Sequence, residues 1–334
     1  MNNINENVNV NMQREINIKM NKEFNYNDIE HENNEINKLV RFNKNTTTTI
    51  LNKVPYINID AFNNFQRVKA VFSTRIGGIS QGQFKSMNFC THLGDSIENV
   101  RKNFEIFGEA ASLNNFVLSK QTHTTNVRKV LKDDIGKGLV KPMDYDNVDG
   151  LITNIRNITL STFYADCVPL YFYDPIHEAI GLSHSGWKGT VNNIARAVVD
   201  AMTSEYNTNP KELITAIGPS ICVNCYEVSS DVASEFIRVY GQYLNIKNND
   251  LSDVPWYREN IDSQDINNIL YQKPDNKFML NLYAANYINM LSAGVLPNNI
   301  SIPDLCTCHN KELLFSHRGN MGKRGNLGAF MMLK

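Results

Sequence analysis

From about residue 53 onward, short apolar runs rich in β-branched and aromatic residues punctuate the chain. They are KAVFS (69–73), FVLSK (116–120), VRKVL (127–131), ITLSTFYA (158–165), PLYFY (169–173), EAIGLSH (178–184), LITAIG (213–218) and LLFS (313–316). Short runs of this kind, bounded by Gly, Pro, Asn or Asp, predict strands. A helical period appears over 97–112, 190–205, 229–243 and 280–293. The first of these starts after Asp95 and Ser96, which suit an N-terminal cap. In the second, Val191, Ile194, Ala195, Val198, Ala201 and Met202 share one face. Gly294 closes the last. Strands and helices mix without strict βα alternation. That predicts an α+β fold, a layered mixed-sheet single domain, rather than a Rossmann arrangement.

Residues 1–52 are rich in Asn, Glu and Lys, end in NKNTTTTI and show little apolar periodicity. A stretch so poor in apolar groups is expected to be a disordered polar extension. The catalytic domain is expected over 53–334, with a second polar stretch at 245–277 reading as an insertion between two helices. No internal repeat is present.

Composition narrows the function classes. The chain has 334 residues, 42% hydrophobic and 20% charged, the balance of an ordinary globular protein with ample length for a core. A net charge of −1 gives no basic field to attract nucleic acid. No apolar run is long enough to span a membrane, and the N-terminus lacks the apolar core of a secretory signal. A cytoplasmic location is therefore expected, with the six cysteines reduced. The phosphate-binding P-loop, the dinucleotide fingerprint, H-E-x-x-H and G-x-S-x-G are all absent from the sequence.

Three stretches carry candidate chemistry: QTHTTNV with His123, ADCVPL with Cys167 and LSHSGWKG with His184. Each places its polar residue at the end of an apolar run, where sheet proteins present groups to a cleft. Brought together they form a His₂Cys set, whose open fourth position is the mark of a catalytic zinc. Such a metal lowers the pKa of its bound water toward neutrality. The same donors also build blue-copper centres, so ligand type leaves zinc and copper open. Seven histidines without an H-x-H do not readily supply the trinuclear centre of a multicopper oxidase. Cys167 with His184 also fits a metal-free cysteine hydrolase or deamidase. A protein that only binds a nucleotide-like ligand is the non-enzymatic alternative.

STRIGGISQGQFKSMNFCTHLGDSIENVRKNF, QTHTTNV, VDGLIT, ADCVPLYFYDP, GLSHSGWKGTVNNIARAVVDAM, AIGPSICVNCYEV and DLCTCHNKELLFSHRGNMGKRG follow one another along the chain. In this order they resemble the laccase-domain family, long labelled multicopper polyphenol oxidoreductases, over residues 55–333. The resemblance implies a fold like that of a bacterial toxin deamidase. It also implies a single zinc held by His123, Cys167 and His184. The implied activity is phosphorolysis of adenosine, inosine and methylthioadenosine, together with deamination of adenosine. Purine nucleosides and phosphate would be the partners. Oligomeric state is not readable.

Residue by residue, the resemblance assigns Arg75 and Arg324 as phosphate clamps. Lys188 and Gly189 would add to the phosphate site, with a helix starting after Gly189 aiming its free N–H groups at the anion. Asn88 and Asp149 are candidate polar site residues, and Asp166 is a candidate to orient a ligand. The chain departs from the family in HSGWKG for HAGWRG, which puts Lys188 where Arg is usual. FSHRG stands for FSYRR, which puts His317 at an aromatic position. Cys222-x-x-Cys225 and Cys306-x-Cys308-His309 have the donors of a second, structural zinc. The resemblance instead favours reduced core thiols. GNMGKRGNLG reads as a pliable loop near the cleft.

Overall fold

The computed structural model describes residues 46–334, except 91, 244–253, 256, 259–260, 263–265 and 304. Its strands, numbered in chain order, form three sheets among the described residues. In the first, the spatial order is β1 (Thr46–Leu51), β2 (Val54–Ile59), β3 (Val68–Ser73), β15 (Leu327–Leu333), β7 (Thr159–Tyr164) and β4 (Phe116–Leu118). The second runs β14 (Ile300–Ser301), β10 (Ile214–Ile217), β8 (Val168–Asp174), β9 (Ala179–Ser185), β6 (Gly150–Thr153) and β5 (Val127–Lys129). A three-stranded sheet joins β11 (Glu227–Ser229), β13 (Lys277–Leu280) and β12 (Leu270–Lys273). Pairs β4–β7, β5–β6 and β10–β14 are parallel, and the others are antiparallel.

Every residue of β8 and β9 is buried, because both faces of their sheet are covered. A strand buried on two faces reads as a continuous apolar run, as VPLYFY does in β8 and AIGL at the start of β9. On one face Val168, Leu170 and Phe172 share a core with Val198 and Met202 of helix α3 (Ile194–Tyr206) and Met290 of α5 (Leu282–Ser292). On the other face the two large sheets meet. There the Tyr171 hydroxyl donates to the Val71 carbonyl at 3.1 Å, and that of Tyr164 donates to the Ser183 carbonyl at 3.0 Å. A Cβ on Gly181 would lie 2.9 Å from Val198 Cγ1, so glycine lets α3 lie close on β9. Helix α1 (Ile97–Ala111) covers the far face of the first sheet with Phe104 and Phe107 against Phe330. Ser96 caps it by accepting from Asn99 N–H at 3.1 Å. The architecture is the layered α+β one that the apolar pattern predicts.

Seven of the eight predicted runs lie on strands β3, β4, β5, β7, β8, β9 and β10. LLFS does not form a strand. Leu313 and Leu314 direct their N–H groups to the Asn310 carbonyl, closing a buried turn in place of a ladder. The run LGAFMML, with no alternation to betray it, becomes β15 at the middle of the first sheet, so the glycine-rich loop ends at Asn326. Strand β1 lies within the stretch expected to be extension. Its β-branched threonines pair along β2 despite their polarity, and Thr47 Oγ1 donates to Asp60 at 2.8 Å. Residues 1–45 lie outside the described residues, as does Trp256 in the expected insertion; the end of that insertion forms β12. The 190–205 helix is two helices, α2 (Trp187–Val191) and α3, broken where Asn193 adopts a left-handed φ of 59°. Helix α4 (Ser230–Tyr240) fills the 229–243 prediction. No helix among the described residues is long and apolar enough to cross a membrane.

Candidate metal centre

The hairpin β8–β9 brings two of the predicted ligands together. Pro169 pairs with His184, so Cys167, just before β8, stands beside the end of β9. His123 comes from the loop between β4 and β5, where its backbone takes a left-handed φ of 64°. Strain of this kind at a non-glycine residue persists only when the surroundings enforce it, and it concentrates at functional sites. The donor atoms of His123, Cys167 and His184 all lie within 4.8 Å of one another. Cys167 Sγ is 4.0 Å from His123 Nε2. The two imidazoles stand nearly perpendicular, at 82°, with centroids 4.9 Å apart. His184 is buried and His123 is exposed, so the group opens outward. A Cβ on Gly186 would lie 2.5 Å from His123 Cδ2 and 3.3 Å from Cys167 Sγ. Only glycine leaves room for both.

Asp149, fully buried ahead of β6, binds this constellation from behind. Its Oδ1 accepts from His184 Nδ1 at 2.8 Å and from His123 N–H at 3.1 Å. Its Oδ2 accepts from the N–H groups of Thr122 and Thr124 at 3.0 and 2.9 Å, and from Thr124 Oγ1 at 2.9 Å. A carboxylate on Nδ1 fixes the ring and leaves Nε2 as the ligand atom. Burial pushes the Asp149 carboxyl up, but His184 and the loop N–H groups outweigh it and hold it down at about 2. Burial pushes His184 down, yet Cys167 and Asp149 raise it to about 9. Burial would raise Cys167, and the two histidines bring it down to about 6. The thiol is thus poised as a thiolate, the form that binds metal or attacks carbon. This donor chemistry fits a single tetrahedral metal: a nitrogen, a sulfur, a nitrogen and an open side.

Asp166, the candidate to orient a ligand, accepts from backbone and hydroxyl groups rather than from a ligand side chain. At φ 93° its carboxylate accepts from Thr307 Oγ1 and Arg318 N–H, both at 2.7 Å, and its carbonyl from Ile221 N–H at 3.0 Å. It fixes Cys167 through the backbone.

A cleft of about 490 Å³ opens onto His123, Cys167 and His184, and is bordered also by Cys90, His92 and Arg324. Arg324 donates to the Asn326 side chain, while its Nε is buried without a partner. No carboxylate among the described residues pairs with it. A buried donor left unmatched on a cationic group marks a place for an anion. Cys90 and His92 escaped the sequence reading, although C-x-H was there to see; Cys90 Sγ lies 2.7 Å from His92 Nδ1.

The other predicted site residues do not line this cleft. Arg75 donates to the carbonyls of Lys85 and Lys311 at 3.1 and 2.8 Å and lies over the Phe315 ring, so its fork is already engaged. Asn88 is buried; it donates to Cys90 O at 2.7 Å and accepts from Asn326 N–H at 2.8 Å, bracing two cleft residues. Lys188 is exposed, with Nζ 5.5 Å from its neighbour Trp187's ring centroid. Gly189 lies inside α2, which begins at Trp187, and the next helix is capped by Asn193's own side chain accepting from Arg196 N–H at 2.9 Å. The helix expected to start after Gly189 starts instead at Trp187, and the N-terminus of α3 is taken by its own cap. His317 is exposed. A second donor group, Cys222, Cys225, Cys306 and His309, gathers away from the cleft lining.

Residues 69–334 match the family model described as multi-copper polyphenol oxidoreductase laccase. The purine nucleoside phosphorylase YlmD of Bacillus subtilis is 33% identical over 277 residues, 81% of this chain and 90% of that protein. The mouse purine nucleoside phosphorylase LACC1 is 30% identical over 255 residues, 74% of this chain and 51% of that protein. Among solved structures, the Bacillus licheniformis hypothetical protein YfiH superposes with a TM-score of 0.73 at 29% identity, covering 86% of this chain and 99% of that one. YlmD from Geobacillus stearothermophilus gives 0.71 at 28% identity, covering 86% and 98%.

Proposed function

The chain belongs to the multi-copper polyphenol oxidoreductase laccase family, and from that premise we propose that it is a zinc-dependent purine nucleoside phosphorylase that also deaminates adenosine. The observation that carries this reading is the shared cleft: a His₂Cys set and Arg324, whose Nε has no hydrogen-bond partner, face one space. Its volume of about 490 Å³ suits a nucleoside with phosphate. Relatives named purine nucleoside phosphorylase, from bacteria to mouse, support the substrate class.

His123, Cys167 and His184 would hold the metal. When bound there, zinc supplies a Lewis acid and an activated water at neutral pH. Arg324 would hold phosphate as a dianion. Phosphate attacks the anomeric carbon while the bond from that carbon to the purine nitrogen breaks, its electron pair leaving with the base. The ribose gathers positive charge on the way, which a fixed anion stabilises. Leu118, Met143 and Phe163 give the cleft an apolar wall for the purine. Asp149 keeps both histidines aimed throughout.

Copper is the weaker fit. Among the described residues the donors gather into only two groups, of three and four, and neither is the histidine-lined cluster of an oxidase. One observation favours a second reading. Cys167, His184 and Asp149 are ordered like a nucleophile, base and orienting acid. Metal dependence separates the two. The test is metal content by mass spectrometry, paired with chromatography of adenosine incubated with phosphate. Adenine and ribose 1-phosphate should form, stop on chelation and return with zinc. Turnover that survives complete metal removal would select the cysteine hydrolase instead. In the Cys167→Ala protein both the metal of this site and the products should be lost.

A further inference from the structure

The loop after β10 and the turn after β14 meet around four side chains that the cleft does not use. We propose that Cys222, Cys225, Cys306 and His309 form a second metal site, a closed zinc site that staples the two segments. Sequence spacing is the first argument. Cys222-x-x-Cys225 and Cys306-x-x-His309 are each short knuckles, the ligand spacing of structural zinc. Geometry is the second. The four donor atoms lie within 4.8 Å of one another, and Cys222 Sγ is 3.7 Å from His309 Nδ1. With zinc–sulfur and zinc–nitrogen bonds of about 2.3 and 2.0 Å, a tetrahedron has an S···N edge of about 3.5 Å. Closing onto a metal therefore requires shifts well under the length of one bond.

The backbone is already shaped for it. Cys225 N–H donates to the Cys222 carbonyl at 3.0 Å, and Asn310 N–H to the Cys306 carbonyl at 3.2 Å, so each knuckle turns both its ligands to one side. Cys222 N–H points at Cys306 Sγ, 3.3 Å away, a donor aimed at a sulfur that gains most as a thiolate. The knuckles are held face to face by the bridge between Ser220 and Cys306 and by Thr307 N–H donating to Ser220 O at 3.1 Å. Packed core thiols need no imidazole among them, and all these cysteines are free. Four protein ligands leave no open position, so this site is structural.

Its position gives it a second consequence. Ile221 and Thr307 are the chain neighbours of Cys222 and Cys306, and both grip Asp166. Asp166 in turn precedes Cys167 in its left-handed backbone. A metal at the knuckles would lock both jaws of that bracket and so hold Cys167 in place.

The experiment uses the full chain carrying His123→Ala and Cys167→Ala, which removes the cleft site. Zinc is counted after gel filtration, and Co²⁺ is added to the metal-free protein while thiolate charge-transfer and tetrahedral d–d bands are recorded. One zinc per chain and the thiolate spectrum are expected, both lost when Cys225→Ser or His309→Ala is added. No retained zinc and no thiolate band would overturn the proposal. Wild-type protein gives a reading independent of any folding defect. N-ethylmaleimide labelling, mapped by peptide mass, should spare Cys222, Cys225 and Cys306 until a chelator is present. Equal labelling with and without chelator, or a disulfide between any two of the three, overturns it. Because the first arm lacks the cleft site by design, failure of the phosphorylase reading leaves this result standing.

Discussion

Asp149 Oδ1 receives the His184 ring N–H at 2.8 Å and the His123 backbone N–H at 3.1 Å, so one buried oxygen serves both histidines. The two histidines lie 61 residues apart in the chain, yet neither is set independently of the other. The consequences of this and three other features are measurable.

Asp149→Asn retains the shape but places an amide where a carboxylate accepts from several N–H groups. Metal affinity should fall by about 10- to 100-fold, the usual loss when the acid behind a metal-binding histidine is removed. Titration against a competing chelator reads it, with circular dichroism to confirm folding. Unaltered affinity would reduce Asp149 to a brace for residues 122–124.

Gly186→Ala should abolish metal binding, because the new methyl would stand 2.5 Å from His123 Cδ2. Gly189→Ala is the control. Its nearest neighbours there are at 3.5 Å and beyond, and the residue is helical, so binding and turnover should persist. Similar behaviour of the two variants would contradict the geometry described.

Arg324→Ala should raise KM for phosphate by about 10- to 100-fold, the size of one lost hydrogen bond to a charged group. KM for the nucleoside should hardly move. Arg324→Lys should recover only part of the loss, since an ammonium keeps charge without the guanidinium fork. Steady-state kinetics at varied phosphate decide the matter. If Arg75→Ala shows the phosphate defect and Arg324→Ala does not, the anion sits elsewhere.

Asp134 supplies a pH test. Burial would raise its carboxyl, but the Lys137 ammonium, the Leu131 N–H and the Arg128 guanidinium bring it below the ordinary value. A folded pKa below the unfolded one, about 3.9, adds stability that is complete above that value and vanishes as pH falls through the folded one. The wild type should therefore exceed Asp134→Asn in stability at neutral pH, by an amount that is flat through mild acid and shrinks below about pH 4. Urea unfolding at several pH values measures it. A gap that grows toward acid would reverse the assigned sign.

The candidate metal ligands were legible because Cys167 and His184 adjoin apolar runs and because their motifs and that of His123 stand in a recognisable order. Strand β8 and the first half of β9 were legible because burial on two faces leaves an apolar run. Pairings across the sequence were not. Nothing local says that Arg75 will meet the carbonyl of Lys311, and without that contact it looks like a free phosphate clamp. Asp149 read as one polar residue among several, since its part depends on a register that places it against His184. Asp166 looked like an orienting acid because it adjoins Cys167; its partners Thr307 and Arg318 come from far along the chain. The two cysteine knuckles were each visible, but their meeting depends on the bridge at Ser220 and Cys306.

Strand β15 follows every other strand in chain order, yet it lies between β3 and β7. On a ribosome, the first sheet must therefore wait as two halves with a vacant slot between them. Until the slot fills, the facing edges of β3 and β7 are unpaired, the state in which strands recruit foreign partners. Arg324 and Asn326 emerge just ahead of β15, and Asn326 N–H donates to the Asn88 side chain. Insertion of the late strand thus closes the fold and delivers the cleft's cation in the same act. A nascent chain arrested before that point would carry His123, Cys167 and His184 but neither a finished sheet nor the arginine of the cleft.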